Sequence, residues 1–213
     1  MTRYADAFLD AATSAASLLA DASVAQHWDQ LSALPQFTVR GLAGHLASQV
    51  LNVVRVLGAP TPPGIETVTL EQHYGRVLWR GADVDADVNV GIRRGGEELA
   101  GRGPAGLVTE TYTAIEELRA TLPATDGRRP VLLPWAGWAL SVDDFLTTRM
   151  LEIVVHSDDV AVSVGIETPQ LPVRVMHPVF DLLFVLALRR HGQVAVLRAL
   201  SRAERAPASI AAI

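Results

Sequence analysis

Four polar residues share one face of a segment that is otherwise apolar: Arg149, Glu152, His156 and Asp159. Neighbouring members are three or four residues apart, so they stack along one side of an α-helix, which turns about 100° per residue. Leucine, isoleucine and valine occupy the rest of the circumference, and a helix that is apolar all round is usually buried. Because a buried carboxylate or imidazole is costly unless it is paired or bound to metal, we expect this stripe to have a partner.

A second apolar segment, residues 38–57, carries a matching polar stripe that consists of His45, Ser48, Gln49 and Asn52. If the two stripes face each other, His45 meets Glu152 and His156. Two imidazoles and one carboxylate are a recurrent ligand set for catalytic zinc, in which a fourth position stays open for water or substrate. The two segments therefore predict a metal site between two helices.

Other readings of the same residues fit less well or stay open. A di-iron carboxylate site needs Glu-x-x-His pairs, whereas the spacing here is Glu-x-x-x-His and the second stripe has no carboxylate. The H-E-x-x-H motif of zinc proteases is absent. A metal-free core in which Arg149 pairs with Glu152, or His156 with Asp159, stays as an alternative.

The elements that must position these residues are predicted to be helices. Thr38 is a plausible N-cap for a helix that runs to Leu57 before Gly58, and Ser141 begins a capping-box pattern for a helix that ends before Gly165. Residues 130–140 are aromatic and apolar around Gly137 and predict a short hairpin or an extended loop. Further helices are predicted over residues 4–20, 70–80, 84–100, 105–121, 175–190 and 193–204.

The composition fits a helical core, since 49% of the residues are hydrophobic but only 6% are aromatic. We expect an all-α fold, built around an antiparallel four-helix bundle with one or two extra C-terminal helices. Residues 1–166 would form the metal-binding bundle, and residues 167–213 a helical extension packed on it. The last residues, APASIAAI, are expected to fray.

Composition also excludes several classes of function. The net charge is −5 and no basic run stands out, which argues against a nucleic-acid partner. The absence of cysteine excludes disulfides, thiolate metal sites and a cysteine nucleophile. The most apolar stretch, residues 153–166, contains histidine and aspartate and is too short to cross a bilayer, so no membrane partner is expected. Asp6 and Asp10 interrupt the N-terminal stretch, which is unlike a signal peptide, and we expect a cytoplasmic protein.

Two segments resemble a known family. The segment FTVRGLAGHLASQV at residues 37–50 resembles the W-T-V-R-D-L-x-x-H-L signature of DinB-like proteins, and is closest to the mycothiol-dependent maleylpyruvate isomerase N-terminal domain. The segment RMLEIVVHSDDVAVSVG at residues 149–165 resembles that family's second signature, R-x-x-E-x-x-x-H-x-x-D. The resemblance covers roughly residues 5–165. It implies a four-helix bundle with zinc ligands at His45, Glu152 and His156.

The resemblance also implies a chemistry. Members of the superfamily are thiol-dependent isomerases and S-transferases in which zinc binds and activates the thiolate of mycothiol, bacillithiol or glutathione. This suits a chain without cysteine, and its richness in alanine and arginine fits an actinobacterial source, where mycothiol is the usual thiol. The expected partners are thus zinc or another divalent metal, a small-molecule thiol and an electrophilic substrate. Gln49, Asn52 and Arg149 could contact the cofactor or support the ligands, and Asp159 could orient a ligand histidine.

Two other functions stay open: a metal-stabilised helical module with a regulatory or structural role, and a hydrolase that uses metal-bound water. The isomerase proper carries a further C-terminal domain, whereas residues 167–213 here predict only one or two helices, which could also form a homodimer.

Several conspicuous side chains are predicted to have structural roles. The histidines 27, 73, 177 and 191 are expected at the surface or at helix caps, the tryptophans 28, 79, 135 and 138 in packing, and the arginines 93 and 94 on a solvated face.

Overall fold

The computed structural model describes residues 1–79 and 81–213, and this part of the chain is mostly helical, as predicted. Its helices are α1 Ala5–Leu19, α2 Ala22–Gln26, α3 Val39–Gly58, α4 Leu70–Arg76, α5 Asp87–Ala100, α6 Gly103–Thr121, α7 Val142–Val164, α8 Val173–His191 and α9 Gln193–Ser201. Two strands, β1 Pro130–Leu133 and β2 Trp138–Ser141, form an antiparallel hairpin in which Pro130 pairs with Ser141 and Leu133 with Trp138. The predicted hairpin is therefore present.

The two helices that carry the polar stripes have the predicted boundaries. The Thr38 hydroxyl accepts a hydrogen bond from the backbone N–H of Gly41 at 3.0 Å, and the Ser141 hydroxyl accepts one from Asp144 at 3.1 Å. Gly165 ends α7 with a φ of 70°, a left-handed conformation that glycine adopts without a steric cost. The short helix α2 was not predicted. The helix predicted over residues 70–80 ends at Arg76, and residue 80 lies outside the described residues.

Four helices, α1, α3, α6 and α7, share one hydrophobic core. Helices α1 and α3 contact each other, and each of them also contacts α6 and α7. The largest fully buried side chains of this core include Phe8, Leu46, Leu118, Phe145 and Met150. Burial of such side chains stabilises each helix by about 1.5–3 kcal/mol per residue. The core thereby fixes α3 beside α7, which is the pairing on which the site depends.

Helix α5 lies directly against α3 because both helices have glycine where they touch. A Cβ atom at Gly44 would lie 2.0 Å from the carbonyl oxygen of Gly96, and a Cβ at Gly96 would lie 2.2 Å from that of Gly41. Neither contact is sterically possible, so only glycine permits this approach. The close contact makes α5 a wall of the space beside His45.

The C-terminal helices pack on this core. α8 contacts α7 and α1 and buries Val175, Val179 and Leu186, while α9 contacts α8. The tail has no helix or strand after residue 205, yet it does not simply fray. Ala212 is buried, and the His191 ring donates a hydrogen bond from Nε2 to the carbonyl oxygen of Ala211 at 2.8 Å. None of the helices in the described ranges has the length and apolarity that crossing a membrane requires.

Candidate metal centre

His45 from α3 meets Glu152 and His156 from α7, as the two stripes predict. Glu152 Oε2 lies 3.7 Å from His45 Nε2 and 3.2 Å from His156 Nε2. The two imidazole rings are 4.7 Å apart between centroids and nearly perpendicular. One candidate ligand atom from each of the three side chains lies within 4.8 Å of the others, a separation that a single metal ion can bridge.

Asp159 orients the second histidine. Its Oδ2 atom accepts a hydrogen bond from His156 Nδ1 at 2.9 Å, and since a carboxylate can only accept, this nitrogen carries a proton. The other nitrogen, Nε2, faces Glu152. Burial alone would lower the pKa of His156, but the hydrogen bonds to Asp159 and Glu152 raise that pKa to about 9. The pairing of a ligand histidine with a carboxylate is the usual support for a metal-binding imidazole.

The other two side chains of the cluster keep the forms that bind metal. Burial would raise the pKa of Glu152, but hydrogen bonds from His156 and His45 and the charge of Arg149 hold it well below its ordinary value. Burial lowers the pKa of His45 despite the opposing hydrogen bond with Glu152. At neutral pH Glu152 is therefore a carboxylate and His45 is a neutral imidazole. Of the two metal-free pairings left open by the sequence, that of His156 with Asp159 is present. Arg149 forms no ion pair with Glu152, whose carboxylate lies beside the two histidines instead.

Gln49 and Arg149 join the two stripes by hydrogen bonds beside the cluster. Arg149 Nη1 donates to Gln49 Oε1 at 2.5 Å, and Gln49 Nε2 donates to the backbone oxygen of His45 at 2.9 Å. The same Nε2 atom lies 3.3 Å from His45 Nε2. Both residues were predicted either to contact the cofactor or to support the ligands, and both lie beside the cluster and line the same cavity.

The cluster opens into a cavity of about 710 Å³ between α3, α5 and α7. Its polar lining includes Ser48, Asn52, Arg55, Asn89 and Glu110, in addition to Gln49 and Arg149. Its apolar lining includes Phe37, Leu51, Trp79, Ile92, Leu99, Trp135 and Ile213. A cavity of this size, mostly apolar with a few convergent polar groups, is typical of a small-molecule site.

The family model for the mycothiol maleylpyruvate isomerase N-terminal domain matches residues 8–161, well over half of the chain. The chain belongs to this family. The match confirms the resemblance, and it includes all three residues of the cluster. No curated protein matches the chain, and no solved structure does either.

His73, which lies within the family domain, is buried. The prediction that it lies at the surface or at a helix cap is therefore wrong. It is 4% exposed, and its Nδ1 accepts a hydrogen bond from the Trp138 indole at 3.1 Å. Burial, with a smaller contribution from the charge of Arg149, lowers the pKa of His73 to about 4, so it is neutral at pH 7. No ligand spacing in the sequence singles out His73; its burial follows from the packing of α4 against the hairpin.

Two of the four tryptophans for which a packing role was predicted lie at the site. Trp79 and Trp135 line the cavity, whereas Trp28 and Trp138 pack against the core. Ile213 lines the cavity too, although it lies beyond the residues that the family domain covers. The solvated face predicted for the arginine pair is present for Arg94, which is exposed and pairs with Glu98. The Arg93 side chain is only 14% exposed and donates to the Val84 carbonyl. The adjacent Gly95 and Gly96 line the cavity.

Proposed function

We propose that this member of the family is a metal-dependent enzyme that uses a low-molecular-weight thiol such as mycothiol, with transferase or isomerase chemistry. Residues 1–166 would form the metal-binding unit, with α1, α3, α6 and α7 as an antiparallel four-helix bundle, and residues 167–213 an extension packed on it. The observation that carries the proposal is the convergence of His45, Glu152 and His156 on the wall of a cavity of about 710 Å³.

The donor set fits zinc or a similar divalent metal. Two imidazole nitrogens and one carboxylate oxygen are borderline ligands that suit zinc, and the three atoms are close enough to share one ion. His156 has the correct nitrogen facing the cluster, because Asp159 holds the proton on the other nitrogen. All three side chains are mostly buried, yet all three line the cavity, so an exogenous ligand could reach an ion held there.

The chain's own residues would prepare this site for a thiol. The metal, when bound, would supply the charge that keeps a thiol deprotonated near neutral pH. Glu152 and the two histidines hold that charge in place, and Asp159 keeps His156 in its binding orientation. The apolar wall that Phe37, Leu51 and Ile92 contribute would exclude water and hold the carbon part of an electrophilic substrate.

A thermal-shift experiment with mycothiol tests the proposal. We expect mycothiol to raise the Tm of the zinc-loaded protein but not that of the chelator-treated protein, because the thiol would bind through the metal. The variant His45→Ala should lose both the metal and the response to thiol. An equal rise in Tm without metal would contradict the proposal.

Two other outcomes would point to the alternative functions. Metal binding without any response to mycothiol, bacillithiol or glutathione would favour a regulatory or structural helical module. Turnover of ester or amide substrates without a thiol would indicate a hydrolase that uses metal-bound water.

A further inference from the structure

Arg149 fixes the orientation of the Gln49 side chain. Gln49 is 1% exposed, and its amide oxygen accepts the hydrogen bond from Arg149 Nη1 at 2.5 Å. A guanidinium can only donate, so the oxygen of the amide must face Arg149 and the NH₂ group must face the other way. That NH₂ group donates to the backbone oxygen of His45 at 2.9 Å and to Ser48 Oγ at 3.1 Å, and its nitrogen lies 3.3 Å from His45 Nε2, the atom that would hold the metal.

The charge of Arg149 is not neutralised by an ion pair. In the described part of the chain, no carboxylate lies within 4 Å of its guanidinium. The guanidinium contacts neutral groups instead, namely Gln49, the Thr148 hydroxyl and the faces of Trp135 and Phe145. Arg149 nevertheless lines the same cavity as the cluster and is partly buried. Its charge acts on the Glu152 carboxylate, which the two histidines already contact, and an anion in the cavity could pair with Arg149 directly.

We infer that Arg149 and Gln49 together make the open side of the His45–Glu152–His156 cluster selective for an anionic ligand, such as a thiolate, over a neutral one. Arg149 supplies the positive charge, and Gln49, whose NH₂ group donates to the His45 backbone oxygen and to Ser48 Oγ, holds the guanidinium beside the cluster. A positive charge attracts an anion but not a neutral ligand, and a charge held in place before binding needs no rearrangement when the ligand arrives. This inference rests on the proposed function, because it assumes a metal at the cluster.

A purely structural role for the same pair predicts something different. The Arg149–Gln49 hydrogen bond joins α7 to α3, so it could serve only to hold the two helices together. In that case, its loss would weaken metal binding or folding, and would affect anionic and neutral ligands alike. Selectivity between the two kinds of ligand therefore separates the two roles.

The test uses the full chain loaded with Co²⁺, whose visible absorption reports ligand binding directly. Azide serves as the anionic probe and imidazole as the neutral probe. Arg149→Met removes the charge and Gln49→Leu removes the group that holds it, so each variant should bind azide about tenfold more weakly, while imidazole affinity stays nearly unchanged. Arg149→Lys keeps the charge and should recover most of the azide affinity.

Arg55→Met is the matched control. Arg55 lines the same cavity and lies over the same Trp135 ring as Arg149, but it is exposed and its charge is screened by solvent. We expect this variant to bind azide within about twofold of the wild type.

Three results would overturn the inference. Arg149→Met and Arg55→Met could have the same azide affinity, both probes could weaken equally, or Arg149→Met and Gln49→Leu could both lose the metal. A wild-type protein that takes up no Co²⁺ would overturn the proposed function as well. Co²⁺ uptake and thiol binding without selectivity would overturn this inference alone.

Discussion

At the residue scale, the chemistry of the site depends on the proton that His156 carries. Asp159 fixes a proton on Nδ1, and the Nε2 atom that faces Glu152 is the one that a metal would use. The hydrogen bonds to Asp159 and Glu152 raise the pKa of His156 to about 9, so at neutral pH the ring holds a second proton. A metal must displace that proton before it can bind.

Metal affinity should therefore rise with pH. Below the His156 pKa of about 9, each metal ion bound releases one proton, and the affinity should rise about tenfold between pH 7 and pH 8. His45 should add nothing in this window, because burial lowers its pKa. Competition with a chelator of known proton affinity at the two pH values measures the change. An affinity that does not vary with pH would show that His156 is not a ligand.

Sequence reasoning at this scale identified the cluster because its residues repeat at helical spacing. Glu152, His156 and Asp159 lie three or four residues apart, and such spacing determines which side chains share a face. His73 has no such partner within its own helix, and its contact with Trp138 joins residues that are far apart in the chain. Spacing within one element could not have revealed it.

At the element scale, the helix ends were predictable and the closest helix contact was not. The hydroxyls of Thr38 and Ser141 cap α3 and α7 through local hydrogen bonds, which depend on only a few consecutive residues. The approach of α5 to α3 depends on Gly41, Gly44 and Gly96 together, although these glycines belong to separate segments. A glycine within a helix pattern indicates a close approach, but it does not identify the partner.

The glycine contact between α3 and α5 gives a paired prediction. Gly96→Ala should lower the free energy of unfolding by about 1–3 kcal/mol, because its Cβ would lie 2.2 Å from the Gly41 oxygen and force the helices apart. Gly95→Ala is the control on the same helix: a Cβ there meets nothing within 4 Å, and alanine's helix propensity should stabilise the protein by up to about 1 kcal/mol. Urea denaturation followed by circular dichroism measures both. A stability loss of equal size in the two variants would contradict the packing described for α5.

At the scale of the whole molecule, the ligands come from elements that are distant in the chain. His45 and Glu152 meet only when α3 and α7 are both packed in the common core, and α8 covers α7 from outside. Part of the predicted dimer surface is used within the chain, since Val179, Leu182 and Leu186 are buried against its own core, while Phe180 and Phe184 remain exposed. A homodimer through the C-terminal helices stays a prediction.

The distant packing of α8 should affect metal retention. Leu186→Ala, at a fully buried position of α8, should destabilise the protein by about 2–5 kcal/mol and lower the urea concentration at which metal is released. Phe184→Ala, on the same helix but 47% exposed, should cost less than about 1 kcal/mol. Metal release can be followed with a chelating dye alongside circular dichroism. If metal left the Leu186→Ala variant only at the wild-type urea concentration, the site would not depend on global packing.

The central claim is that His45, Glu152 and His156 hold one divalent metal ion, and metal analysis of the purified protein tests it most directly. Protein prepared without added metal, or reconstituted with Zn²⁺ and then desalted, should contain about one equivalent, and His45→Ala should contain far less. Wild-type protein with less than about a tenth of an equivalent, even after reconstitution, would contradict the account.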